Sequence, residues 1–169
     1  MSLSLNPIGI MRTPHRDIEG MPIQPPGAGE FEGTLHLRPE LAEGLRDLDG
    51  FSHVHLIYLL HKVEGYELTV KPFLDDAEHG IFATRSPSRP APIGLSVLEV
   101  LQVRGNTVRL GRVDMLDRTP VLDIKPYVPD FDVWPADRIG WFAGKSGNAD
   151  SVRADGRFRE SGRRVKRSA

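Results

Sequence analysis

Between residues 80 and 127 the chain sets arginines and proline turns beside strongly apolar runs. The order is Gly80-Ile81-Phe82-Ala83-Thr84-Arg85-Ser86, then Arg89-Pro90 and Pro92-Ile93-Gly94, and later Thr119-Pro120-Val121 with Asp123-Ile124-Lys125-Pro126-Tyr127. An arginine presents five donors in a fixed fork that suits a carboxylate or a phosphate. Proline sets φ in advance, so a loop built on it loses little entropy when an anion docks. The block therefore reads as a ligand site rather than a connection. Arg85, between two apolar runs, is expected to face the ligand, and Gly94, entering a strand, marks a place where something approaches the backbone closely.

Other polar clusters carry weaker signals. Asp114, Asp117 and Asp123 surround Thr119-Pro120, where acids commonly form turns. Three of them within ten residues, next to Lys125 and Tyr127, give the cluster a functional share. His53, His55 and His61 share one strand face, and an H-x-H pair about 7 Å apart can share a metal. No carboxylate recurs at matching spacing, which favours a row of satisfied histidines and no metal. Gly27-x-Gly29 lacks the third glycine, the preceding strand and the following helix of a dinucleotide fingerprint.

These residues need elements to hold them. Asn6 to Pro14 reads as a strand, followed by a Pro and Gly cluster from Gly20 to Gly29 that forms a loop. Glu32 to Leu37 alternates as a second strand. Pro39 opens a short helix over Glu40 to Arg46, with Leu41 and Leu45 four residues apart. Phe51 to Val63 is a strand apolar on both faces, hence central. Ile93 to Val103 pairs with Thr107 to Leu116 across Gly105-Asn106, a turn of hairpin character. Val113 and Met115 break the parity of Val108 and Leu110, so Gly111 is expected to mark a bulge before a loop over Asp114 to Val121. Asp137 to Ala143 is a candidate helical turn packing Ile139, Trp141 and Phe142. Many closely spaced strands with scraps of helix indicate a mainly β, single-domain antiparallel barrel or sandwich.

The motifs quoted above, with Ile8-Gly9-Ile10, Arg12, Pro14, Gln24-Pro25 and Phe51-Ser52-His53 upstream in the same order, resemble the TsaA-like family, whose characterised type is the TrmO tRNA methyltransferase. The resemblance spans roughly residues 6 to 130 by the order of its motifs. It implies a compact β-barrel that binds S-adenosyl-L-methionine through barrel loops near a homodimer interface. Carried over by position, donor contacts fall at Gln24, Pro25, Pro26, His61, Lys62, Arg85, Leu95, Arg118, Thr119, Pro120 and Val121. Position 118 departs from the family pattern, which has a small glycine there. The resemblance further implies methylation of N6 of threonylcarbamoyladenosine in tRNA. Methyl transfer from a sulfonium is an in-line displacement in which positioning dominates. A nitrogen bearing a carbonyl substituent is a poor nucleophile, however, and a base helps. Asp114, Asp117 and Tyr127 are the catalytic candidates.

The 169 residues suffice for one core, and the absence of cysteine excludes disulfides, thiolate zinc sites and thiol nucleophiles. No signal-peptide order and no apolar run of roughly 20 residues occurs, so a cytoplasmic protein without membrane contact is expected. Net charge is −1, but residues 151–169 hold seven Arg or Lys and two acids, +5, leaving −6 on the rest. The expected organisation is a barrel domain over 1–150 and a basic extension over 151–169, frayed from Ser161. Longer bacterial TrmO proteins carry a further C-terminal domain, so RNA contact here is expected to use a local patch, the tail or a two-fold dimer. Two alternatives stand beside the tRNA methyltransferase: a non-catalytic S-adenosyl-L-methionine sensor and a methyltransferase with another acceptor. A metal-dependent hydrolase using His53 and His55 rests on spacing alone.

Overall fold

The computed structural model describes residues 4–158, so the expected fraying from Ser161 lies outside the described residues. Among the described residues eight strands form: β1 Gly9–Arg12, β2 Glu32–Leu37, β3 His53–Leu59, β4 Thr69–Val70, β5 His79–Gly80, β6 Ile93–Arg104, β7 Thr107–Gly111 and β8 Thr119–Pro126. Six of them close an antiparallel barrel in the order β1-β2-β7-β6-β3-β8, while β4 and β5 pair separately. The barrel expected from the resemblance is the fold, and of the two arrangements left open by strand count, the closed one forms.

Alternation puts every second residue inside. Met11, Leu35, Leu37, Val54, Leu56, Leu98, Val108, Leu110 and Val121 fill the barrel. Leu45 and Leu48, on 3-10 turns at Pro39–Leu45 and Leu48–Gly50, join the same core. The expected helix at 40–46 is thus a 3-10 turn, starting at Pro39 as its missing N–H allows. A second, smaller cluster joins Val70, Phe73, Ile81 and Phe158. Phe158 and Ala154 are buried, and the Ala154 amide bonds the Met21 carbonyl at 2.9 Å.

Several boundaries differ from expectation. The strand expected over Thr107 to Leu116 ends at Gly111, because Arg112 turns to φ 59°. The bulge sits not at Gly111 but across from it on β6, where the register slips between Val100 and Gln102. Gly111 itself stays paired with Glu32 and Glu99. Strand β8 begins at Thr119, inside the loop expected over Asp114 to Val121. Pro126, opposite Val54, closes its pairing with β3, and Pro120, opposite Ile10, pairs with β1 alone. Gly105, at φ 58°, supplies the positive φ at the first turn residue of the β6–β7 hairpin. Trp141 and Phe142 stack on a 3-10 turn at Gly140–Phe142, whereas Ile139 stays exposed.

Register brings one set of strand ends to a single rim. The ends of β1, β3 and β7 and the starts of β2, β6 and β8 meet there, as the pairs Met11 with Thr119, Glu32 with Gly111 and Leu59 with Ile93 show. Arg12, Thr119 and, just beyond the strand ends, His61 and Asp117 lie at that rim.

Candidate functional site

Four segments reach the rim. Gln24 precedes the 3-10 turn Pro25–Ala28, with Pro25 and Pro26 at its start. Arg85 follows the 3-10 turn Ile81–Ala83, and its Nη1 donates to Gln24 Oε1 at 2.7 Å across 61 residues of sequence. His61 and Lys62 follow β3, and His61 Nδ1 lies 3.5 Å from the Thr119 hydroxyl. Burial, then the Lys62 charge, pushes the His61 pKa below its ordinary value, so this ring is neutral near pH 7. Trp141 braces the Arg85 segment by donating Nε1–H to the Ala83 carbonyl at 2.8 Å.

The loop joining β7 to β8 contributes from below. Asp114 is buried, and its Oδ1 accepts a 2.7 Å hydrogen bond from Ser96 Oγ on β6. Ser96 in turn lies 3.1 Å from the hydroxyl of Tyr58 on β3. Burial raises the Asp114 pKa to about 6, against the opposing pull of the Ser96 hydroxyl, a backbone hydrogen bond and the Arg85 charge. Tyr58 is raised far above its ordinary value by burial and by Asp114, and so stays protonated. The ring of Tyr58 lies over Gly94, where a Cβ would sit 2.3 Å from Tyr58 Cε2. That contact is the close approach the glycine was expected to mark. Tyr58 and Ser96 carried no motif signal: a tyrosine and a serine on alternating strands look like core and surface filler until the barrel closes.

Asp117, three residues on, faces the opposite way. It accepts from Arg12 Nε at 2.9 Å, Arg16 Nη1 at 2.5 Å and the Thr13 amide at 3.1 Å. Burial works to raise its pKa, but these donors prevail and hold it below the ordinary carboxylate range. A groove of about 240 Å³ opens beside it, lined by Arg12, Arg16, Arg109, Thr13 and Thr34. Glu32 also lines the groove and lies 3.7 Å from Arg109.

The remaining positions divide. Arg118 bonds the Met11 carbonyl through its amide at 2.8 Å and holds φ 66°, a left-handed conformation that suits the glycine of the family pattern. Thr119 is buried and bonds the Leu116 carbonyl, and Pro120 is half-buried. Val121 points into the core, so only its backbone faces the rim. Leu95 lies on the outer face of β6, 58% exposed, beside half-exposed Ile93. Tyr127 is not brought to this rim: eight residues along β8 place it roughly 25 Å away. There it packs on His53 and His55. His53 meets Ser52 and His55 meets Asp132, and among the described residues no group of three His, Asp or Glu could hold a metal.

The model of the tRNA-methyltransferase O N-terminal domain family matches residues 10–133. The chain belongs to this family. A probable S-adenosyl-L-methionine-binding protein of Pyrococcus abyssi is 45% identical over 94% of this chain and 86% of its own. The Escherichia coli tRNA (adenine(37)-N6)-methyltransferase is 37% identical over 76% of this chain and 59% of its own. The crystal structure of TrmO from Pseudomonas aeruginosa superposes with a TM-score of 0.71 at 38% identity, covering 83% of this chain and 62% of that one. This member of the TrmO N-terminal family thus spans most of its archaeal relative, and under two thirds of the bacterial enzymes. Among the described residues no helix is long and apolar enough to cross a membrane.

Proposed function

We propose that this chain is an S-adenosyl-L-methionine-dependent methyltransferase whose acceptor is an adenosine of tRNA, the N6 of threonylcarbamoyladenosine being the specific target. The observations that support the reading are the Arg85–Gln24 and His61–Thr119 contacts, with the Arg85 charge acting on the buried Asp114 carboxylate. Arg85 supplies a cation for the donor's carboxylate, with Gln24 fixing its fork. Backbone groups at Pro25, Pro26, Arg118, Thr119, Pro120 and Val121 suit the amide-like edge of adenine, and His61 and Lys62 close the wall beside them. These residues fit the donor, which supplies an electrophilic methyl group when bound. Neutral His61 adds no charge to repel the sulfonium.

A second copy of the chain completes this reading. Exposed Leu95, Ile93 and Phe82 form an apolar border to the wall, and covering it in a homodimer removes that surface from water and excludes water from the transfer. The RNA contact falls on the groove at Arg12, Arg16 and Arg109, next to Arg118, where the Arg12 and Arg16 guanidiniums, already held by Asp117, meet phosphates with little further ordering. Such contacts predict tRNA binding that weakens with salt, and a salt slope made shallower by Arg16→Glu.

Calorimetric titration with S-adenosyl-L-methionine tests the donor site. Saturable binding is expected for the wild type, with Arg85→Ala weaker by about tenfold or more. Labelled donor with total tRNA then separates enzyme from sensor, a reading favoured by relatives named only for binding. Binding without label in tRNA would select the sensor, or a different acceptor if another substrate is labelled.

A further inference from the structure

The Tyr58–Ser96–Asp114 chain lies beneath the wall that the donor reading uses, yet none of its three side chains is needed to bind that molecule. Ser96 has a single hydroxyl proton, and that proton is committed to Asp114 Oδ1 at 2.7 Å. Tyr58 must therefore donate to Ser96 across their 3.1 Å contact. The result is a directed chain of hydrogen bonds ending on a carboxylate oxygen. It is built into the fold: Tyr58 and Gly94 are paired across β3 and β6, as are Leu56 and Ser96, and Gly94 lacks the side chain that would displace the tyrosine ring. Among the described residues Asp114 receives one side-chain hydrogen bond, from Ser96, besides a backbone hydrogen bond from its own residue, so a buried carboxylate with several lone-pair sites keeps acceptor capacity to spare. Such a group is costly to keep unless something arrives to use it.

We propose that Asp114 accepts the N6 proton during methyl transfer, and that Ser96 and Tyr58 are positioning residues that aim its carboxylate and keep it ionised. The inference rests on the methyltransferase reading above. In the step, nitrogen N6 forms a bond to the methyl carbon while the carbon–sulfur bond breaks and its electron pair returns to sulfur. The N6 proton passes to the free oxygen of Asp114, and the neutral thioether leaves. The charged and titratable groups acting on Asp114 are Arg85, from the segment after β5, and Tyr58, from β3. Arg85 and Ser96 both favour the ionised form, whereas burial opposes it.

The test is the pH dependence of single-turnover methyl transfer to tRNA by the full chain. Wild type is expected to gain activity with rising pH through a midpoint near the raised pKa of Asp114, about 6. Removing a donor to the charged form raises that midpoint, so Ser96→Ala moves it up by about one pH unit. Tyr58→Phe, which keeps the ring over Gly94, moves it less and in the same direction. Asp114→Asn abolishes transfer while calorimetry shows donor binding retained. A midpoint unmoved in both Ser96→Ala and Tyr58→Phe, or transfer surviving in Asp114→Asn, overturns the proposal. Carbon-13 NMR titration of the Asp114 carboxyl provides a readout without an acceptor. An ordinary aspartate value there, the same in wild type and both variants, overturns it as well. Failure of the methyltransferase reading looks different: no donor binding, or binding without transfer, with the Asp114 titration still raised and still sensitive to Ser96.

Discussion

Asp114 and Asp117 stand three residues apart on one loop and have opposite fates. Asp114 turns inward to a single side-chain donor, the Ser96 hydroxyl, besides a backbone hydrogen bond from its own residue, and burial drives its pKa up to about 6. Asp117 is met by two guanidiniums and a backbone amide, and its pKa falls below the ordinary range despite burial. The supply of donors decides the outcome, since both side chains are nearly inaccessible. One face of the loop holds a carboxylate able to take up a proton. The other holds a carboxylate spent on fixing two arginines at a groove.

The comparison breaks most severely at Gly94. A Cβ there meets the Tyr58 ring at 2.3 Å, so Gly94→Ala must displace the tyrosine and with it the inner face of the loop. A loss of about 3 kcal/mol in denaturant unfolding is expected, with the Arg12–Asp117 side retained. A mild effect would mean that the ring moves freely and that the chain to Asp114 is not fixed by packing.

The two carboxylates should then respond with opposite sign to the same substitution. A carboxylate whose folded pKa is raised makes the folded state bind more protons than the unfolded one between its ordinary value and the raised one. Stability therefore falls as pH rises from about 4 to about 6, and the penalty is constant above that. Asp114→Asn should remove that slope and stabilise the chain by about 1–2 kcal/mol at pH 7. Asp117, with its pKa lowered, contributes stability that is present above the ordinary carboxylate value and is lost as pH falls through the lowered one. Asp117→Asn should cost about 2 kcal/mol at pH 7, much of it from the Thr13 amide losing a charged acceptor, and little in strong acid. Thermal melts of both variants between pH 3 and 8 check this; slopes of the same sign would sink the comparison.

The smallest effect belongs to Arg118, which closes the loop at φ 66°. Arg118→Gly removes a left-handed penalty and should stabilise by about 1 kcal/mol, a rise of a few degrees in melting temperature. A drop instead would assign the arginine side chain a contact that outweighs its backbone strain.

Much of the barrel was legible in the sequence. Strand β2, the hairpin of β6 and β7 and the central β3 follow from alternation and from Gly105-Asn106, since a half-buried strand writes its two faces into successive residues. Strand β8 was not legible, because prolines and an acid disguise a segment whose pairing depends on partners in β1 and β3. On the site, the pairing of Arg85 with Gln24 and of His61 with Thr119 brings together residues marked by motif alone. Tyr127, marked in the same way, falls at the far rim, since strand length carries it away from Asp114.

The sequence by itself determined the family, the strand periodicity and the cluster of arginine, proline and aspartate from which a site could be built. These are local or linear properties. Only the closed barrel decided which aspartate would meet one side-chain donor and which would meet two guanidiniums and an amide. Ser96, with Tyr58 behind it, reaches Asp114, and Arg12, Thr13 and Arg16 reach Asp117, across 18 to 105 positions of chain that barrel closure and the β7–β8 loop bring together.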